Sequence, residues 1–108
     1  MTLDAASDSE LLLRSEAGSE AAFLELYRRH QGAVYRFALM MSGSASAAED
    51  VTQEVFVVLM RGRTRFDASR GSLRSFLIGV ARNHVRKRWL HERFAGRLGL
   101  PRLEERTT

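Results

Sequence analysis

The sequence predicts an all-α domain, a small bundle of three main helices preceded by a short one. Apolar residues recur at spacings of three and four, the period of one helix face, whereas no segment shows the alternation of a half-buried strand. A single proline, Pro101, occurs among 108 residues, so long stretches are free to form helices. The absence of cysteine excludes a disulfide framework, a thiolate zinc site and a cysteine nucleophile.

The first helix is predicted to be short and to follow Ser7. Ser7 and Glu10 have the spacing of a capping box, in which the serine hydroxyl accepts a hydrogen bond from a backbone N–H three residues on. The segment Leu11–Leu13 supplies the apolar content of this helix, and Gly18 ends it.

The second helix is predicted to be long, from about Glu20 to about Met41, with Ser19 as its N-cap. Gly43, which stands between two serines, breaks it. Its apolar stripe consists of Phe23, Tyr27, His30, Val34, Phe37 and Met41. Because His30 falls on this stripe, we expect a core histidine there rather than a ligand.

The third helix is predicted to begin at another capping box, Ser46 with Glu49, and to end near Arg61. Its inward residues are expected to be Val51, Val55, Val58 and Leu59.

Three polar residues of this helix form what we call the acidic strip: Asp50, Gln53 and Glu54. The two carboxylates lie one turn apart on one face, and the amide lies beside them. The helix dipole stabilises carboxylates in a first turn, which would account for Glu49 and Asp50 but not for Glu54. We therefore expect the acidic strip to meet a basic protein partner.

An Arg-rich loop of ten residues, Gly62–Gly71, leads to the fourth helix, which Ser72 caps and which should run to about Arg93. Its core face should consist of Leu73, Phe76, Leu77, Val80, Ala81, His84 and Val85. Residues 1–93 are thus predicted to form one domain and residues 94–108 a linker or tail.

One buried cluster is expected to join the three main helices. Phe37 of the second helix, Val55 of the third and Phe76 of the fourth are predicted to meet in it.

Charge divides along the chain. Residues 1–60 carry four Arg against nine acidic residues, a net charge of −5, whereas residues 61–108 carry thirteen Lys and Arg against four acidic residues, a net charge of +9. All basic residues are Arg except Lys87, and Arg suits bidentate and stacked contacts with phosphates and bases. This division predicts two partners, a polyanion for the second half and a basic or neutral surface for the first. An ordinary solvated helix face is the alternative.

The fourth helix carries a basic surface opposite its core face. We call Arg82, Arg86 and Arg93 the arginine ridge, and Asn83 and Lys87 lie on its flank. Such a ridge suits a nucleic-acid backbone, and the Asn83 amide can read a base edge. Trp89 lies next to the ridge, where it could stack on a base or pack on a neighbouring helix.

The loop before that helix combines positive charge, one aromatic ring and small residues. Arg63, Arg65 and Arg70 surround Phe66. Small donors and bare backbone come from Ser69, Gly71 and Ser72. Groups of this kind can hold an unstacked base.

Neither catalysis nor a membrane location is expected. There is no phosphate loop after a strand and no Ser/His/acid arrangement, and His91 has no second ligand at metal-binding spacing. No cofactor or metal is therefore predicted. The longest apolar runs, Phe37–Met41 and Val55–Met60, are far shorter than the roughly 18–20 residues of a membrane span. The start of the chain lacks the basic n-region of a signal peptide, so we expect a soluble cytoplasmic protein.

Three stretches of the sequence together resemble region 2 of bacterial sigma factors, most closely the extracytoplasmic-function (ECF) type. The first is the string Asp50–Phe56, the second is the Arg-rich loop with Phe66, and the third is Leu73–Leu77 continued by Ala81–Asn83. The resemblance covers about residues 9–93.

The resemblance implies a non-enzymatic specificity subunit of RNA polymerase with two functional surfaces. In the family the first string docks on the clamp helices of the largest catalytic subunit of the polymerase core, which implies polymerase-binding roles for Asp50, Gln53 and Glu54. The loop and the following helix open the minus-ten promoter element and read its non-template single strand. This implies DNA-binding roles for Ser69, Arg70, Gly71, Ser72, Arg74, Asn83, Arg86 and Lys87. The basic loop and the arginine ridge add Phe66 and Arg82 to this set.

The sequence departs from the family in two respects. Phe76 stands where many members have Trp, and the second, helix-turn-helix domain of ECF factors, region 4, is absent from these 108 residues. The family also makes an anti-sigma factor a candidate partner. The residues alone leave two alternatives open, a small helical regulatory module that binds an acidic protein and a non-specific nucleic-acid-binding module.

Overall fold

Four α-helices make up most of the chain in the computed structural model, which describes residues 3–62 and 66–99. They are α1 (Asp8–Glu16), α2 (Glu20–Ser42), α3 (Ala45–Met60) and α4 (Leu73–Leu98). Single 3-10 turns cover Leu3–Ala5 and Ala68–Arg70. The described residues contain no strand, so the predicted all-α bundle is confirmed.

Serine side chains begin the helices. The hydroxyl oxygens of Ser7, Ser19 and Ser72 each accept a hydrogen bond of 3.1 Å from the backbone N–H three residues on. Each bond satisfies one of the backbone donors that the first turn of a helix leaves without a partner. The predicted starts of α1, α2 and α4 are therefore confirmed.

The predicted start of α3 at Ser46 is wrong, because Ser44 is the N-cap. Gly43 adopts a φ of 70°, a left-handed conformation that favours glycine, and thereby ends α2. The chain is extended again at Ser44, whose hydroxyl accepts a hydrogen bond of 3.2 Å from the N–H three residues on. Since α3 starts earlier than predicted, Glu49 and Asp50 lie beyond its first turn, and the helix dipole accounts for neither.

The core lies around α2, which packs against α1, α3 and α4, while α3 also packs against α4. Fully buried alanines on three of these helices let the backbones approach closely: Ala22, Ala38, Ala48 and Ala81. The largest fully buried side chains are Leu11, Leu26, Val34, Val51, Val55, Leu59, Leu73 and Leu77. This core consists mainly of small and branched residues, and Phe56 is its one buried aromatic residue among those that the structure describes.

The predicted aromatic cluster is only partly right. Val55 is fully buried, but Phe37 and Phe76 are half-buried and pack against the outside of the core. The Arg82 guanidinium covers the Phe37 ring at 5.4 Å, and the Phe76 ring meets Phe66 edge to face at 5.6 Å. Both rings thus pack against the core on one side and are partly exposed on the other.

The buried face of α2 is centred on residues 22, 26, 30, 34 and 38. His30 is buried, as predicted, whereas Tyr27 and Met41 of the predicted stripe are exposed. The predicted apolar stripe differs from the observed buried face because positions 22 and 38 of that face are alanines. Sequence hydropathy does not distinguish a buried alanine from an exposed one. On α3, Val58 is only half-buried, and Phe56 occupies the core instead.

α4 continues past the predicted end near Arg93 and stops at Leu98. Gly96 does not break it, and Gly99 ends it with a φ of 72° and an N–H that donates to the Ala95 carbonyl. The segment 94–98, predicted as linker, is therefore helical, while the domain division itself stays a prediction. No helix within residues 3–62 and 66–99 is long and apolar enough to span a membrane.

Candidate nucleic-acid interface

The segment that joins α3 to α4 is described from Phe66 onward and is tightly folded. The Asp67 carboxylate accepts hydrogen bonds from the Ser69 N–H at 2.9 Å and from the Ser69 hydroxyl at 2.7 Å. Gly71 then adopts a φ of 147°, a conformation that is unfavourable for residues with a side chain. α4 follows directly, with Ser72 as its N-cap. Arg63 and Arg65, predicted to belong to the same basic loop, lie outside the described residues.

A pocket of about 350 Å³ opens between this segment and the first turn of α4. We call it the loop pocket, and its lining residues are Phe66, Asp67, Arg70, Gly71, Ser72, Ser75 and Phe76. Two aromatic rings, two hydroxyls and bare glycine backbone face one space of the size that small-molecule sites usually have. Four predicted DNA-binding residues, Phe66, Arg70, Gly71 and Ser72, are therefore brought together.

Charge is unevenly placed around the loop pocket. The hydrogen bonds from Ser69 hold the pKa of the Asp67 carboxyl below its usual range, so this wall is negatively charged. The Arg70 side chain is 87% exposed, and its Nε lies 3.9 Å from the Asp67 carboxylate. The pocket thus disfavours a phosphate inside, while the Arg70 guanidinium at its rim can bind one outside.

The outer face of α4 presents further polar groups. Asn83, Arg86 and Lys87 are exposed, as are Arg82 and Arg93 of the arginine ridge. The Arg93 guanidinium lies 5.2 Å from the centre of the exposed Trp89 ring, and Arg82 covers Phe37. Two of the three ridge guanidiniums are therefore already stacked on rings of the same chain.

Arg74 does not line the loop pocket, although it stands between two residues that do. Its Nε donates to the His30 Nδ1 atom at 3.2 Å, and its Nη2 donates to the Arg29 carbonyl at 2.9 Å. Its guanidinium is thus fixed on α2. The sequence pattern assigns Arg74 to the DNA and does not reveal this contact, since His30 is 44 residues away.

The acidic strip on α3 divides into an outer and an inner part. Gln53 and Glu54 are exposed. Asp50 is half-buried, and its carboxylate lies 3.5 Å from the Nη1 atom of Arg88 on α4. Asp50 therefore contributes to the contact between α3 and α4, and only Gln53 and Glu54 face outward without this constraint.

Glu54 also influences a neighbouring histidine. Burial lowers the pKa of His84, and the nearby Glu54 carboxylate opposes part of this effect. His84 is half-buried rather than fully buried, so the prediction of a core histidine is only partly right. Among the described residues no three His, Asp or Glu side chains gather in a way that could hold a metal ion.

Three residues of the loop pocket were not predicted from the sequence to belong to a site. Asp67 and Ser75 were not singled out, and Phe76 was assigned to the core. The signal that could have found them is local: Asp67 stands two residues before Ser69 in the spacing of an Asx turn, and Ser75 follows the N-cap Ser72 by one helix turn.

Comparisons with known proteins identify the family of the chain. A family model described as Sigma-70 region 2 matches residues 26–94. The ECF RNA polymerase sigma factor BldN of Streptomyces coelicolor is 33% identical over 91 residues, which are 84% of this chain and 34% of BldN. The ECF RNA polymerase sigma factor SigM of Mycobacterium tuberculosis is 32% identical over 88 residues, 79% of this chain and 45% of SigM.

The ECF RNA polymerase sigma factor SigK of Mycobacterium tuberculosis is 33% identical over 76 residues, 69% of this chain and 41% of SigK. The chain thus spans between about a third and just under half of the length of these relatives. A comparison with solved structures found no match.

Proposed function

Since the chain belongs to the Sigma-70 region 2 family and is an ECF-type member of it, we propose that it directs bacterial RNA polymerase to promoters. Proteins of this family are transcription initiation factors without catalytic activity, so the chain is not an enzyme. Its partners would be the polymerase core and the non-template strand of the minus-ten element, both in the bacterial cytoplasm. An anti-sigma factor that covered either surface would act as a regulator.

The main support for this proposal is the composition of the loop pocket. It joins aromatic rings of Phe66 and Phe76 to the hydroxyls of Ser72 and Ser75, with Arg70 at the rim. An unpaired base offers a flat apolar face and a polar edge, and it carries its negative charge only on the attached phosphate. The pocket matches this distribution: aromatic rings and hydroxyls line it, and the Arg70 side chain beside them is largely exposed and free to bind a phosphate.

Promoter opening needs no nucleotide hydrolysis in this mechanism. Extruding a base from the duplex costs a few kcal/mol, and stacking a base on an aromatic ring contributes about 1–3 kcal/mol. Each phosphate that an arginine contacts adds a favourable, salt-dependent contribution. A strand held by the loop pocket and by Asn83, Arg86 and Lys87 along α4 could therefore offset the cost of melting.

The acidic strip would serve the second surface, on the polymerase clamp helices. Gln53 and Glu54 are the exposed members and would contact the partner directly. Asp50 would contribute mainly by holding the two helices together. Its contact with Arg88 fixes α3 against α4, the helix that carries the DNA-binding residues. Docking and strand binding would thus share one rigid pair of helices.

We expect Glu54→Arg to weaken binding to core polymerase by at least about tenfold, because it places a positive charge where the basic partner surface would lie. The free energy of unfolding should change by less than about 0.5 kcal/mol, since Glu54 is exposed. Binding is measured by fluorescence titration of labelled protein with core polymerase, and stability by urea unfolding.

Glu16→Arg is the matched control, since it makes the same charge change at an exposed position of α1. It should leave polymerase binding within about twofold of the wild type. If both variants weaken binding equally, net charge and not the acidic strip determines docking. If the wild type binds labelled strand but not core polymerase, the non-specific nucleic-acid-binding alternative is correct.

A further inference from the structure

A polar network outside both proposed surfaces joins three helices at His30. His30 on α2 is 4% exposed. Its Nε2 atom lies 2.9 Å from the Asp8 carboxylate on α1, and its Nδ1 atom lies 3.2 Å from the Arg74 Nε atom on α4. A single imidazole ring therefore bridges α1 and α4 through the centre of the bundle.

The partners fix the tautomer of this ring. A guanidinium can only donate hydrogen bonds, so the His30 Nδ1 atom must accept the bond from Arg74. The remaining proton of a neutral ring then lies on Nε2, from which it is donated to the Asp8 carboxylate. Protonation of Nδ1 would set two donors against each other and would break the bond to Arg74.

Charged groups from all three helices surround the ring. Asp8 of α1 faces Nε2, Arg74 of α4 faces Nδ1, and Arg29 of α2 binds the second oxygen of the Asp8 carboxylate at 3.1 Å. Arg29 in turn binds the Glu25 carboxylate at 2.7 Å, and the two arginines of α2 beside Glu25 lower its pKa to about 2. Burial and the two facing guanidiniums lower the pKa of His30 below its usual range, although the Asp8 carboxylate opposes them.

The two helices that His30 joins, α1 and α4, each line a cleft beside Phe66. Arg74 lies between Ser72 and Ser75, which line the pocket. α1 borders a second cleft of about 240 Å³ against the other side of the same loop, where Leu12 and Leu13 face Phe66 and Ala68. The two clefts beside Phe66 are therefore lined by the two helices that His30 joins through Asp8 and Arg74.

We propose that neutral His30 is a positioning residue that fixes α1 and the first turn of α4 on the two sides of Phe66, and that its protonation in acidic solution weakens strand binding. The effect on the strand rests on the proposed function. The positioning role of His30 does not rest on the proposed function, since it concerns only the contacts among Asp8, His30 and Arg74.

His30→Gln tests this directly. The glutamine carbonyl can accept from Arg74 and its amide can donate to Asp8, so the variant reproduces the neutral ring and cannot be protonated. The assay is binding of fluorescently labelled non-template strand to the complex of full chain and core polymerase. It runs from pH 8 down to the lowest pH at which the complex stays intact, because the pKa of His30 lies below its usual range. The control is His84→Gln. It removes a different titratable histidine, which lies on α4 and outside this network.

The wild type and His84→Gln should lose about three- to tenfold in affinity on acidification, the value of one hydrogen bond. His30→Gln should bind like the wild type at pH 8 and should lose much less affinity at the lowest pH. Equal pH profiles for wild type and His30→Gln would overturn the proposal. Weak binding by His30→Gln at every pH, with unchanged urea unfolding, would overturn it too.

A second measurement does not depend on DNA or on a folded variant. NMR of the free wild-type chain should give ring nitrogen shifts of an Nε2–H tautomer for His30 at pH 8. The amide signals of Ser72 and Ser75 should shift with the His30 titration as the pH falls. An Nδ1–H tautomer, or amides that do not follow His30, would exclude the positioning role even if the strand never binds. If the NMR result is as expected and no strand binds at any pH, the proposed function fails and the positioning role stands.

Discussion

Leu26→Ala should lower the free energy of unfolding by about 2–5 kcal/mol, the range of large-to-small substitutions in a close-packed core. Leu26 is 0% exposed and lies at the centre of the buried face of α2, the helix that contacts all three others. Leu26 belongs to the close-packed cluster of buried residues, so its truncation leaves a cavity that the neighbouring side chains can fill only in part. Urea unfolding followed by circular dichroism measures the change.

Leu24→Ala is the control, since it makes the same chemical change two residues away on a side chain that is 62% exposed. It should cost less than about 1 kcal/mol. A similar loss in both variants would mean that helix propensity, and not burial, determines the effect. A loss below about 1 kcal/mol for Leu26→Ala would contradict the position of α2 at the centre of the bundle.

The helices were predictable because their signals are local. A serine hydroxyl that accepts from the backbone N–H three residues on begins α1, α2 and α4, and the three- and four-residue spacing of apolar residues indicates that these segments are helical. His30 was assigned to the core on this basis, and it is buried there. Each of these features depends on residues within one or two helix turns of each other. Such short-range patterns can be recognised in the sequence.

The errors arise where two local signals compete. Ser44 and Ser46 are competing candidates for the N-cap of α3, and the left-handed conformation of Gly43 decides for Ser44. Gly96 and Gly99 both suggest an end for α4, yet a glycine inside a helix costs only about 1 kcal/mol, so the helix continues to Leu98. Sequence alone gives no way to rank such neighbouring signals.

The candidate site was predictable in composition but not in arrangement. The Arg-rich loop and the basic face of α4 can be seen in the sequence, and four of the predicted residues meet in the loop pocket. The roles of Arg74 and Asp50 depend on partners far along the chain, His30 and Arg88, 44 and 38 residues away. Such contacts follow from the packing of helices, which periodicity does not specify.

The largest effect on function is expected at Asn83 and Arg86, exposed neighbours on α4 with different chemistry. If the Asn83 amide reads a base edge, Asn83→Ala should cost about 1–3 kcal/mol, or about 5- to 150-fold, on the preferred strand and little on others. Arg86→Ala removes only a phosphate contact, so it should weaken binding to all strands about equally.

Salt dependence separates these two roles further. For a single strand, each neutralised phosphate contributes about 0.7 to the slope of log affinity against log salt concentration. Arg86→Ala should therefore reduce the slope by about 0.7, whereas Asn83→Ala should leave the slope unchanged. The measurement is a titration of fluorescently labelled non-template strand with the polymerase complex at several salt concentrations.

Arg36→Ala provides the control, because Arg36 is an exposed arginine on α2, in the acidic half of the chain and away from the loop pocket. It should alter neither the affinity nor the slope by a measurable amount. Equal losses for Asn83→Ala on every strand would remove Asn83 from base recognition while leaving Arg86 on the backbone. Affinity that does not depend on salt in any variant would contradict a nucleic-acid role for the basic half altogether, since thirteen Lys and Arg within 48 residues cannot bind a polyanion without releasing counterions.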